Sequence, residues 1–177
     1  MKHKKTNAMR MLDRAKIDYE VKTFELEDGH MDGERVAELV GENVHDVFKT
    51  LVLENAEHDH FVFVVPVSES LDMKAAASVV NEKKLQLMPL DNLKQVTGYI
   101  RGGCSPVGMK HLFPTTIDQS ASLREKIIVS GGQRGIQIVL QLEDLVSMTN
   151  AQVEDITQKW QYRDRSYKWD DKLCNIC

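Results

Sequence analysis

The sequence is poor in cysteine and proline, with three and four in 177 residues, and no stretch approaches the roughly 20 apolar residues of a membrane span. Cys104, Cys174 and Cys177 form an odd, uneven set, which excludes the paired framework of a small secreted protein. The opening MKHKKTNAMRML lacks the continuous apolar centre of a signal peptide. Together these absences predict a cytoplasmic chain with no membrane partner.

Familiar catalytic signatures are also missing. There is no GxSxG, no HExxH, no Walker loop and no GxGxxG after a strand. None of the histidines, His3, His30, His45, His58, His60 and His111, pairs with a nucleophile in a recognisable motif, and His58 and His60 read as part of a solvated turn. The CxxC of Cys174 and Cys177 is half of a zinc site at most, because Cys104 is the sole further thiol and no HxxxH exists. No metal and no cofactor are expected. A net charge of -4 argues against a protein that holds DNA or RNA mainly by bulk charge. A local basic rim is still available from Lys83, Lys84, Lys94, Arg101, Lys110, Arg124, Lys126 and Arg134.

What is present is the composition of an ordinary globular domain, 42% hydrophobic and 28% charged. A chain of this length buries about 70% of its unfolded surface, enough for a core without staples. One domain is expected over residues 1–157. Residues 158–177, with Trp160, Tyr162, Tyr167 and Trp169, differ in character and read as an appended extension that could serve as a partner-binding segment.

Periodicity gives an α/β order. Ala8, Met11, Leu12 and Ala15 have helical spacing after Thr6 and Asn7 as cap candidates. Ile17, Tyr19, Val21 and Thr23 alternate as a strand with one buried face. Asp32 caps a helix that Gly41 ends, and Asp72 caps the helix MKAAASVV. VFKTLVLEN and FVFVVP, around a polar turn at 57–60, read as an antiparallel hairpin at the centre of a sheet. LQLM is a short strand and PLDNLKQV a short helix; PTTIDQS, KIIVSGG and GIQIVLQ are further strands, and LEDLVSMT is a helix.

One constellation carries chemistry. Lys49 interrupts an otherwise apolar strand, where a long cation either reaches solvent or lines a pocket. GGCSPVG and SGGQRG supply Gly102-Gly103 and Gly131-Gly132, whose backbone N–H groups can converge on an anion or a developing oxyanion. Each turn alone is weak evidence, because a Gly-Gly pair is more often just a tight hairpin.

VFKTLV, TGYIRGGCSPVGMK, the TTIDQS strand and VSGGQRG, in this order and at these separations, resemble the YbaK family of freestanding aminoacyl-tRNA deacylases, the prolyl-tRNA synthetase editing-domain family. The resemblance covers roughly residues 6 to 157. It implies one compact α/β domain, a mixed, barrel-like β-sheet flanked by helices, that clears mischarged tRNA in trans, typically Cys-tRNA(Pro), with prolyl-tRNA synthetase as a candidate partner. The family's lysine falls on Lys49, followed by Thr50; its first-loop glycine falls on Gly102 or Gly103, and its second-loop serine on Ser130, with Gly131, Gly132 and Arg134 beyond. Three positions depart from the pattern. Phe24 stands where cysteinyl-specific relatives often carry tyrosine, Gln137 where some carry aspartate, and Cys104 where the loop is usually aliphatic.

An aminoacyl ester is already activated, so its cleavage needs positioning and oxyanion stabilisation rather than a triad. Lysine is a cation near neutral pH and a poor general base, which gives Lys49 an electrostatic role. The resemblance implies that a cysteinyl substrate supplies its own nucleophile, the thiol, leaving Cys104 to packing. Two alternatives stay open: a deacylase for tRNA mischarged with alanine or serine, and a non-catalytic module that binds tRNA ends or nucleotides.

Overall fold

Residues 48–54 and 60–66 are two mostly apolar runs, and in a computed structural model of the protein they form its central hairpin. The structure describes residues 4–29 and 31–159. The aromatic segment 160–177, with Cys174 and Cys177, lies outside the described residues, as do His3 and His30. Strands β2 (Phe48–Glu54) and β3 (His60–Pro66) pair antiparallel over seven residues, Phe48 with Pro66 through Glu54 with His60. Both are buried almost throughout, as expected at the middle of a sheet.

Strand β4 (Gln86–Leu87) flanks β2, while β5 (Thr115–Asp118) and β8 (Gln152–Glu154) extend the sheet beyond β3 as parallel neighbours, giving the order β4-β2-β3-β5-β8. A second, antiparallel sheet has the order β1-β7-β6, from β1 (Glu20–Thr23), β6 (Ile127–Ser130) and β7 (Ile136–Leu140). A parallel bridge between Val47 and Ile128 joins the two. The mixed sheet is thus present, but as two sheets that meet along one edge rather than as a closed barrel. β8 escaped the sequence because its three residues offer only Val153 as an apolar signal.

Helix α1 (Asn7–Arg14) is capped by Thr6, and α2 (Gly33–Val40) by Asp32, whose side chain accepts from the Arg35 N–H. α3 (Met73–Val79) is capped by Asp72. The proline-led segment forms a 3-10 turn, Leu90–Asn92, and then α4 (Leu93–Thr97); α5 (Leu142–Thr149) follows β7 directly. One core lies between α1, α5 and the two sheets, including Leu12, Phe48, Ile117 and Ile138. A second packs α3 on the other side of the central hairpin, through Leu51, Phe63 and Ala76. Each fully buried Leu or Phe contributes about 1.5–3 kcal/mol.

Two expectations change. The alternation from Ile17 does not mark one buried face: the ladder begins at Glu20, and Val21 is 41% exposed. β1 is an edge strand, so the more buried residue is Lys22, drawn in by Glu42. His58 is exposed, as expected for a solvated turn, but His60 is half-buried, and both imidazoles lie 3.4–3.5 Å from the carboxylate of buried Glu54. Backbone pairing persists past residue 157, where Gln158 N–H donates to the Ser70 carbonyl.

Candidate active site

The two sheets touch at Val47 and Ile128, and two residues further along each strand the chain reaches Lys49 and Ser130. Both line a cleft of about 280 Å³. Thr50, Arg101, Gly102, Arg134 and Gln137 line it too, with Cys104 at its floor. Ser130 and Gln137 face one another across the β6–β7 ladder, so their positions are set by sheet register rather than by a loop. Met31, Gly33 and Val36 also line it. A Cβ on Gly33 would overlap Val67, so glycine there lets α2 lie against the end of β3.

Lys49 is 4% exposed, and among the described residues its ammonium has no hydrogen-bond or ion-pair partner. With its stem enclosed and no partner for its head group, the side chain presents its ammonium to the open cleft. The Thr50 and Ser130 hydroxyls, which line the same cleft, are buried and lack a partner among the described residues. Two buried, unsatisfied hydroxyls and an ammonium lining one cleft mark a candidate place for a polar ligand. The Lys49 ammonium offers positive charge; the two hydroxyls can each donate and accept.

The glycine turns have a different geometry from that suggested by their sequence. Gly103 N–H donates to the Ile100 carbonyl at 3.0 Å, and Gly131 N–H to the Ile136 carbonyl at 2.9 Å. Those two amides close turns. Of the four glycines only Gly102 lines the cleft, and its amide makes no backbone hydrogen bond among the described residues. Gly103 and Gly132 bring the two loops together, while Gly131 packs on Ile136 and Ile138 of its own hairpin. A Cβ on Gly103 would lie 3.0 Å from the Arg134 nitrogen, and one on Gly132 would lie 2.9 Å from the Tyr99 ring.

Three residues that the sequence did not mark as part of the site fasten these loops. The Tyr99 hydroxyl donates to the Val107 carbonyl at 2.7 Å, and the Asn7 amide donates to the Gly108 carbonyl at 2.7 Å. The Thr6 hydroxyl donates to the Gly131 carbonyl at 2.6 Å and also accepts from Met9 N–H as the α1 cap. Thr6 and Asn7 are thus both cap-region residues and loop anchors.

Cys104 is 3% exposed, and burial pushes its thiol up to about 12, opposed by the Thr97 hydroxyl. It is a packing residue, as its neighbours in the core require. Of the basic rim, Arg101 and Arg134 reach the cleft, whereas Arg124 and Lys126 pair with Asp46 and Glu42. Phe24 is outside the cleft. It lines an adjoining hollow that shares Leu26 and Arg134 with the cleft.

The pattern of the aminoacyl-tRNA editing domain matches residues 28–148, over two thirds of the chain. The chain belongs to the aminoacyl-tRNA editing domain family. A protein of Enterococcus faecalis named "Putative Cys-tRNA(Pro)/Cys-tRNA(Cys) deacylase EbsC" is 43% identical over 155 residues, 88% of this chain and 94% of that protein. Among solved structures, a "putative trans-editing enzyme for prolyl tRNA synthetase" superposes with a TM-score of 0.74 at 22% identity, covering 86% of this chain and 96% of its own. A chain solved in a study of epitope backbone grafting onto scaffold proteins gives 0.78 at 21% identity, covering 87% and 96%. At those identities the structures establish the shared editing-domain fold. Lys49, Thr50, Gly102, Ser130, Arg134 and Gln137 all lie inside the matched segment; Phe24 lies before it. Among the described residues, no helix is long and apolar enough to cross a membrane.

Proposed function

We propose that this protein is a trans-editing deacylase that cleaves the ester of mischarged aminoacyl-tRNA, with Cys-tRNA(Pro) as its substrate. The observation that carries this reading is the unpartnered Lys49 in one cleft with the unpartnered hydroxyls of Thr50 and Ser130. Membership of the editing-domain family and the 43% identity to EbsC support it.

The chemistry needs no nucleophile from the protein. The substrate thiol sulfur attacks the ester carbonyl carbon, negative charge gathers on the carbonyl oxygen, and the bond to the ribose oxygen then breaks. The thiol proton goes to that ribose oxygen, through the substrate amine or water, leaving free tRNA and a four-membered cysteine thiolactone that water opens. Lys49 and the Gly102 amide stabilise the developing oxyanion, a contribution worth roughly 10²–10³ in rate per donor. Thr50, Ser130 and Gln137 hold the amino-acid portion. Cys104, protonated and buried, takes no part.

A thiol requirement also solves a selection problem. Shape alone separates side chains one methylene apart by only about 1–3 kcal/mol. Prolyl-tRNA synthetase is the proposed source of the mischarged tRNA, and the cytoplasm the proposed place of work.

Deacylation of one tRNA(Pro) body carrying cysteine, serine, alanine or proline tests the assignment. Cysteine should be released fastest, at least 100-fold faster than serine, with the thiolactone trapped as product. Preference for a substrate without a thiol contradicts it.

A further inference from the structure

We infer that the hollow beside the cleft is a stacking site for the terminal adenosine of the tRNA, with Phe24 as its platform and Arg134 as the contact to its phosphate. This rests on the deacylase reading and adds the nucleotide end of the substrate to it.

Phe24 is an outlier among the five phenylalanines. Phe48, Phe61 and Phe63 are core residues and Phe113 packs against the core, whereas Phe24 belongs to no hydrophobic cluster. It is only half-buried, and it lines an open hollow of about 390 Å³. Its position is nevertheless fixed, because Phe24 N–H donates to the Gly135 carbonyl at 3.0 Å where the β1–β7 ladder ends. A half-exposed ring outside the core, on a backbone held in place, suits base recognition, since every nucleobase presents a flat face to an aromatic side chain.

Arg134 and Leu26 form the boundary between the hollow and the cleft. Arg134 is exposed and has no ion-pair partner among the described residues, so its guanidinium is available to a phosphate. The layout follows the covalent order of the substrate. The aminoacyl ester sits on the ribose of the terminal adenosine, so a substrate with its ester at Lys49 must place its base and 5′ phosphate immediately next door. The hollow sharing a boundary with the cleft is where they fit.

The test combines turnover with binding of adenosine 5′-monophosphate, which carries the same base, ribose and phosphate but no ester. Phe24→Leu should raise KM for Cys-tRNA(Pro) about 5- to 150-fold, the span of base–aromatic stacking, with the effect falling on KM rather than kcat. Phe24→Tyr should restore KM. Adenosine monophosphate should compete with the tRNA, bind more tightly than adenosine, and lose that difference in Arg134→Gln. Unchanged KM in Phe24→Leu overturns the assignment, and so does nucleotide binding that does not compete with tRNA. If the wild-type protein deacylates no aminoacyl-tRNA, the functional reading fails by itself. The hollow is then judged by adenosine monophosphate alone: binding weakened by Phe24→Leu supports the stacking site, and no binding overturns it.

Discussion

Gly103 packs so closely on the second loop that a Cβ would lie 3.0 Å from the Arg134 backbone nitrogen and 3.1 Å from the Gln133 Cα. The contact is with backbone, which cannot swing aside as a side-chain end can. Gly103→Ala is therefore expected to push the 131–135 loop outward, costing roughly 1–3 kcal/mol of stability and moving Arg134 away from the cleft. Denaturant melts should show the loss, and KM for the aminoacyl-tRNA should rise in protein that is still folded at the assay temperature.

Thr50→Val keeps side-chain shape while deleting a hydroxyl that has no partner. In an ordinary core, such an exchange removes a hydrogen bond and costs stability. Here it should leave the melting temperature unchanged or raise it, since a buried unsatisfied polar group carries a desolvation cost. Deacylation should fall, roughly 10-fold, and Ser130→Ala should behave in the same way. A lowered melting temperature with full activity would show that the hydroxyl serves the fold.

Glu42 joins the two margins of the smaller sheet to the end of α2. Its carboxylate pairs with Lys22 of β1 at 2.6 Å and with Lys126, just before β6, at 2.9 Å. The Lys22 ammonium, and after it Lys126, hold the carboxyl below its ordinary value of 4.5. A depressed folded-state pKa means that this stabilisation is complete above the unfolded value and fades as pH falls through the folded one. Glu42→Gln should cost on the order of 1 kcal/mol at neutral pH. The difference from wild type should narrow below about pH 4.5 and vanish at lower pH, as measured by urea unfolding across the acid range.

The sequence made the elements legible wherever one residue dictates local geometry. Thr6, Asp32 and Asp72 are caps, as their type and position implied, and the run around Lys49 is the buried central strand. Lys49 stood out because a cation among apolar neighbours breaks the pattern. The glycine pairs were legible as turns, yet their division of labour was not. Whether an amide faces substrate or closes a turn depends on partners such as Ile100 and Ile136, and in the second pair the donor and acceptor lie five residues apart across a hairpin. Tyr99, which fastens both loops, gave no signal because its role is set by a contact to Val107 that local periodicity does not encode. Val21 misled for a related reason: alternation marks a buried face only where another layer covers it, and β1 lies at an edge.

On the proposed function, Lys49 is placed in the cleft for the reaction and not for the fold. Comparing Lys49→Met with wild type in both single-turnover deacylation of Cys-tRNA(Pro) and urea unfolding tests it directly. The rate should fall by at least about 100-fold in a protein as stable as wild type or more so. Retained turnover, or an activity loss matched by a loss of stability, would contradict it.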